Sequence, residues 1–203
     1  MFSIKKLLLL CGTALAIGAF TAPAASADEV WTTGGKKIGD VFELNTVGFK
    51  GELSFKQGSF TVGPGGVEGH GRIWNGAAMG EGVIEKFSVN GELPVGPKLP
   101  ASCKATIASE ATPWKVTLTT GVVDIEAAVI TSYNAACQAL GFPAAVTASG
   151  TVTAPVTGPC MTMENAGDLK TTGGAAVLIT GMLCLTDTNE AEEETEEGTI
   201  GTE

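Results

Sequence analysis

The chain has 203 residues, with 12 Lys+Arg against 22 Asp+Glu, a formal net charge of −10 at pH 7, 28 glycines and 6% aromatic residues. So acidic a chain repels nucleic acid and anionic lipid, and its single arginine, Arg72, makes no basic patch; neither is an expected partner. The wealth of Thr, Val, Ala and Gly favours strands and turns over helices.

Residues 1–27 read as a secretory signal peptide. Lys5 and Lys6 form a positive start, Leu7 to Phe20 an apolar run too short to be a comfortable membrane span, and Ala25-Ser26-Ala27 a small-x-small cleavage pattern. A lipoprotein signal at Cys11 is the rival. Such a signal wants a small residue before the cysteine, here Leu10, and Cys11 lies inside the apolar run. With cleavage before Asp28, two lysines and no acids are lost, so the net charge falls from −10 to −12.

Val30 to Thr33 is a short predicted strand ended by Gly34-Gly35. Phe49, Gly51, Leu53 and Phe55 alternate with Lys50, Glu52, Ser54 and Lys56, the period of a strand with one wet face. Gln57-Gly58 is a turn, and Phe60 and Val62 begin the return. Residues 63–82 are glycine-rich and read as a loop, or two short strands with bulges. Val83, Phe87 and Val89 share a predicted face with Glu85, and Asn90-Gly91 is a hairpin turn whose return arm meets Pro94 at once. Pro94, Pro97 and Pro100 stiffen a connector, which divides residues 28–100 from a second β subdomain at 101–187.

That second segment opens with Cys103, Ala105 and Ile107 on one face. Val116 and Leu118 lead to a turn at Thr120-Gly121, and Ile125, Ala127 and Val129 run back. Asn134 to Gly141 carries helix signals: an Asn cap, a Gly stop and Pro143 beyond. Strands follow at 145–153, 159–164 and 176–186, the last nearly all apolar, too short to cross a bilayer and read as a central buried strand. Residues 188–203 are rich in glutamate, without apolar periodicity, and read as a disordered tail.

Four cysteines, Cys103, Cys137, Cys160 and Cys184, follow the signal region and allow three pairings. Cys103–Cys137 and Cys160–Cys184 are favoured because each pair straddles a turn, Thr120-Gly121 and Thr172-Gly173-Gly174. Long gaps and the lack of C-x-x-C argue against a zinc site or a thioredoxin-like motif. His70 is the sole histidine, flanked by glycines and read as a solvated loop residue; no Gly-x-Ser-x-Gly elbow accompanies it. Asp124 and Glu126 share one strand face and read as wet sheet surface rather than a glycosidase pair. Glu164, Asn165 and Asp168 read as a plain turn, and Asp187-x-Asn189 breaks the EF-hand pattern at Glu192. Gly63-Pro64-Gly65-Gly66 lacks the lysine of a phosphate loop. Trp31, Trp74 and Trp114 would stack sugar only if they align.

The Ala25-Ser26-Ala27 signal end, the Trp31 strand, the Cys103…Pro113-Trp114 spacing and the Thr/Gly-rich strands resemble small exported β-proteins of high-GC Gram-positive bacteria. That resemblance implies export and a β fold, and carries no activity or site residue. The expected fold is all-β, an antiparallel sandwich of Ig-like architecture, with a β-barrel as the alternative. The expected role is that of a secreted, non-enzymatic structural or binding module, without cofactor or metal, in contact with the cell envelope or a glycan. A carbohydrate-binding or carbohydrate-active protein is the alternative.

Overall fold

The structure, a computed structural model, describes residues 30–33, 36–39, 45–77, 79–119, 121–187 and 200–202. The expected signal peptide and residues 188–199 of the expected tail lie outside them. Strand β1 (Trp31–Thr33), strand β2 (Lys36–Lys37) and strand β13 (Ile200–Thr202) form a small antiparallel sheet in the order β13-β1-β2. The expectation of disorder over 188–203 is therefore corrected at its end. Ile200 and Thr202 pair with Thr33 and Trp31, because β1 leaves one edge open to a further strand.

The other strands make one antiparallel sheet closed on itself. Its staves run in chain order: β3 (Asn45–Gln57), β4 (Phe60–Asn75), β5 (Gly80–Val89), the pair β7 (Lys104–Ser109) and β8 (Trp114–Thr119), β9 (Val122–Tyr133), β10 (Ala145–Thr157), β11 (Cys160–Thr171) and β12 (Ala176–Asp187). Each stave pairs with the next, and β12 returns to β3 from Val177↔Gln57 to Asp187↔Val47. β7 and β8 act as one broken stave, since β9 pairs with β8 through Val122 to Ile125 and with β7 through Val129 to Tyr133. Eight staves close the barrel, and the sandwich gives way to its alternative. The physical reason lies in length and in glycine: staves such as β3 and β4, of 13 and 16 residues, are long enough to coil, and glycines let them bend.

Residue 100 falls in the connection between β5 and β7, and both expected subdomains supply staves to this one sheet, joined at β5–β8 and β3–β12. Within that connection β6 (Leu93–Pro94) pairs with β7, and Val95 bridges Val62. The predicted hairpin at Asn90-Gly91 does not form, because the return arm finds β7 instead of β5, but that arm is short and at an edge, as Pro94 requires. Residues 63–82 are not a loop but the alternative, strands with bulges, though longer than expected. They supply most of β4 and the start of β5, with glycines at points of close approach; at Gly69 a Cβ would run into the Lys86 carbonyl oxygen and the Phe49 ring.

Alternation sends apolar side chains inward. Val47, Phe49, Leu53 and Phe55 are buried while Lys50 and Lys56 are exposed, as the sequence pattern requires. β12 is central as expected, between β11 and β3, but it is buried on one face only: Val177, Ile179, Leu183 and Leu185 are buried and Met182 is 50% exposed. Every stave of a closed barrel keeps one face in water. The outer wall carries Lys50, Glu52, Glu68, His70, Lys115 and Glu126. A lipid-facing barrel shows the reverse pattern, apolar outside and polar within. No helix among the described residues is long and apolar enough to cross a membrane.

The turns after β3, β5, β9 and β11 lie at one end, the mouth; those after β4, β8 and β10 lie at the base. Trp31, 1% exposed, plugs the base. Its Nε1 donates to the Glu81 carbonyl (3.0 Å), and Asn75 clamps its backbone by accepting from Trp31 N (2.7 Å) and donating to Trp31 O (3.0 Å).

Candidate binding cleft

Inside the barrel there is little room. Two voids of about 20 and 30 Å³ lie along the axis, walled by residues such as Phe49, Leu53, Phe87, Ile125, Met161 and Met163. An eight-stranded barrel is just wide enough for its own side chains to fill, and here they do. Trp114 packs against Phe87 with ring centroids 4.9 Å apart, and its Nε1 hydrogen has no partner.

The mouth is different. The β9–β10 connection contains helix α1 (Ala135–Gln138) and folds over it. Asn134 caps that helix as the sequence predicts, its Oδ1 accepting from Cys137 N (3.1 Å). The same Oδ1 accepts from Lys104 N (3.2 Å), and Asn134 Nδ2 donates to Ser102 O (2.9 Å). The Cys103–Cys137 disulfide, S–S 2.03 Å, joins the same two segments. Residues just beyond α1 are thereby fixed above the β3–β4 turn, which lies on the other side of the barrel.

Between them opens a cleft of about 440 Å³, lined by Gln57 to Phe60, Tyr133, Leu140 to Pro143, Val146 and Ala175. Phe142 bridges it, edge-on to Phe60 with centroids 4.8 Å apart and 5.1 Å from Tyr133. Phe60 and Leu140 remain 40% and 49% exposed. No lining residue carries a charge. Tyr133 is buried, and desolvation raises its hydroxyl pKa above the ordinary 10.0; the phenol, neutral at physiological pH in any setting, stays so further into alkali. The cleft offers aromatic faces, aliphatic edges and a few neutral polar groups.

The residues singled out from sequence lie elsewhere. The pairings Cys103–Cys137 and Cys160–Cys184 are those favoured, and both straddle a base or mouth turn, but they staple rather than react. Cys160 and Cys184 stand directly opposite in the β11–β12 register. His70 is on a strand, exposed on the outer wall of β4, rather than in a loop. Asp124 and Glu126 face outward as expected, Asp124 Oδ1 accepting from Thr153 Oγ1 (2.6 Å). Glu164, Asn165 and Asp168 lie in an irregular part of β11, where the register shifts, and Asn165 has φ +53°; they are not a simple turn. Among the described residues no three His, Cys, Asp or Glu gather as metal ligands. Gly63 to Gly66 belong to β4. The three tryptophans share no surface: Trp31 and Trp114 are buried at the base and in the interior, and Trp74 is half-buried, its Nε1 donating to Glu81 Oε2 (2.9 Å).

Sequence reading passed over Phe60, Tyr133, Leu140 and Phe142. A signal was present: Leu140-Gly141-Phe142-Pro143 puts two large apolar residues in a Gly/Pro connection, where polar residues are the norm. Comparisons with known protein families, curated proteins and solved structures found no match. Fold and cleft together define an up-and-down β-barrel with a packed interior and an apolar mouth.

Proposed function

We propose that this protein is an exported, non-enzymatic binding module that presents the mouth of a rigid barrel to an apolar partner at or beyond the cell surface. The observation that carries this reading is the uncharged aromatic cleft on a barrel whose interior is filled. Mouths of β-barrels are preferred positions for binding sites, and here the mouth holds an open apolar concavity with no charged lining residue, whereas the shallower outer-wall concavity beside Met182 is lined by Glu52 and Glu164. Two disulfides suit an oxidising compartment, and the signal-like features of residues 1–27 point the same way. Exposed titratable side chains are spread over the outer wall rather than converging on the cleft, which supports binding over catalysis.

The carbohydrate alternative draws no support from the tryptophans, which do not form a stacking platform. The test is twofold. Fractionation of producing cells, with N-terminal sequencing, is expected to find the protein outside the cytoplasm starting at Asp28. Intact Met1 or a cytoplasmic pool would overturn export. Pull-down from cell-surface extract with the disulfide-intact protein, against a Phe60→Ser/Leu140→Ser control, is expected to lose its retained material in the control. Identical retention by both would overturn the cleft as the binding surface.

A further inference from the structure

We propose that the mouth cleft takes an uncharged, ring-bearing apolar small molecule, seated between Phe60, Phe142 and Leu140. This rests on the reading of the cleft as the binding site, and names its ligand class.

Charge decides the first point. None of the cleft's lining residues is ionised, and the phenol of Tyr133 is neutral. A charged group taken into such a lining loses its hydration without gaining a partner, at a cost that rules out tight binding. The flanks supply no single sign either. Lys56 precedes Gln57 and Lys170 pairs with Ala176, beside Ala175, but both are exposed on the outer wall. Next to Val146, Thr147 Oγ1 donates to the carboxylate of Glu110 (3.2 Å). The whole chain, at −10, disfavours anions further.

Shape decides the second point. The tilted trio Phe60–Phe142–Tyr133 leaves one ring, Phe60, 40% exposed and available for an edge or face contact. The volume, about 440 Å³, falls within the usual range for small-molecule sites, whereas the interior voids do not. An extended peptide would need an unpaired strand edge. The staves that rim the cleft, β3, β4, β9, β10 and β12, are paired on both sides. Anchorage of the α1 connection by Asn134 and by Cys103–Cys137 sets the cleft before the ligand arrives, which lowers the ordering cost of binding.

The experiment compares two fluorescent probes of nearly the same shape, uncharged phenylnaphthylamine and its anionic analogue anilinonaphthalene sulfonate. Each is titrated into the disulfide-intact protein. Phenylnaphthylamine is expected to bind saturably at one site, and the sulfonate about tenfold more weakly or worse. Phe60→Ala and Leu140→Ser are each expected to weaken phenylnaphthylamine about tenfold, as loss of a central apolar anchor does. Met182→Ser, which removes an exposed apolar side chain from the outer wall, is expected to leave binding unchanged. Both cleft residues are exposed enough for their variants to fold, which circular dichroism confirms. Tighter binding of the sulfonate, weakened by Lys56→Ala or Lys170→Ala, overturns the uncharged ligand and keeps the cleft. Binding indifferent to Phe60 and Leu140 overturns the cleft itself. Binding of neither probe overturns the ligand class, while the pull-down still judges the binding module.

Discussion

Tyr133 is the only tyrosine in the chain, so its ionisation is read without overlap from absorbance near 295 nm. Burial raises its pKa, because the phenolate would lose solvation that nothing beside it replaces. The native state therefore holds this proton at pH values where the unfolded chain has released it. Stability from this group is complete below pH 10.0 and is lost as pH rises through the higher native pKa. The expected result is a tyrosine transition above 10.0 in the native protein, moving down in urea, and an alkaline loss of stability that Tyr133→Phe flattens. A native transition at or below that of the urea-unfolded chain would contradict the burial. Asn75 offers a second test at this scale. Its side chain accepts from Trp31 N and donates to Trp31 O and Ile38 O, holding the base plug. With each bond contributing about 1 kcal/mol net, Asn75→Ala is expected to cost about 2–3 kcal/mol in urea unfolding. In a Trp74→Phe/Trp114→Phe background, Trp31 emission should shift to the red as the plug loosens.

Elements were legible wherever periodicity ran unbroken. The alternation of β3 placed Phe49, Leu53 and Phe55 on the inner face, though it did not reach back to the buried Val47, and the Asn134 cap and Pro143 stop located α1. In β5 one residue breaks the period. His70 pairs with Lys86 and Gly71 with Ile84, so Glu85 is an extra residue in the ladder. That bulge puts Ile84 on the inner face with Phe87 and Val89, and Val83 on the outer one, the reverse of the count from sequence. β4 was half hidden for another reason: its glycines, read as a loop or as two short strands with bulges, are where neighbouring backbones approach. The cysteine pairing was legible because both bridges straddle turns, yet their settings differ. Cys160–Cys184 crosses one hairpin, whereas Cys103–Cys137 ties a connection to a helix. Closing a loop of 34 residues restricts the unfolded chain by about 3–4 kcal/mol. Cys103→Ala/Cys137→Ala is expected to lose about that much, with amide exchange in 134–144 rising most and the β3–β12 amides keeping their order of protection. Uniform loss of protection across the barrel would show that this staple secures the staves instead of the cleft wall.

Closure of the barrel was the property least available from sequence, because it depends on a seam between the first and last staves, distant in the chain. The seam passes through Gly51 and Gly181. A Cβ on Gly181 would strike the Glu52 carbonyl oxygen, and φ at Gly181 is +144°, where side chains are disfavoured. Gly181→Ala is thus expected to cost more than about 2 kcal/mol, through overpacking and backbone strain together. The pattern of that loss tests how the molecule is organised. If residues 28–100 and 101–187 were separable units, a wound in β12 would spare the first. In one closed sheet it cannot, since β3 and β5 both depend on staves from the second segment. Trp31 and Trp114 report on the two segments separately, one at the base plug and one in the interior. Measured through Trp74→Phe/Trp114→Phe and Trp31→Phe/Trp74→Phe backgrounds carrying Gly181→Ala, each remaining single-tryptophan signal is expected to coincide with circular dichroism in a single urea transition. Within each background the midpoint should fall by the same free energy. A Trp31 signal that kept its midpoint while Trp114 lost its own would mean that β3, β4 and β5 stand without the seam, and the barrel would have to be divided after all.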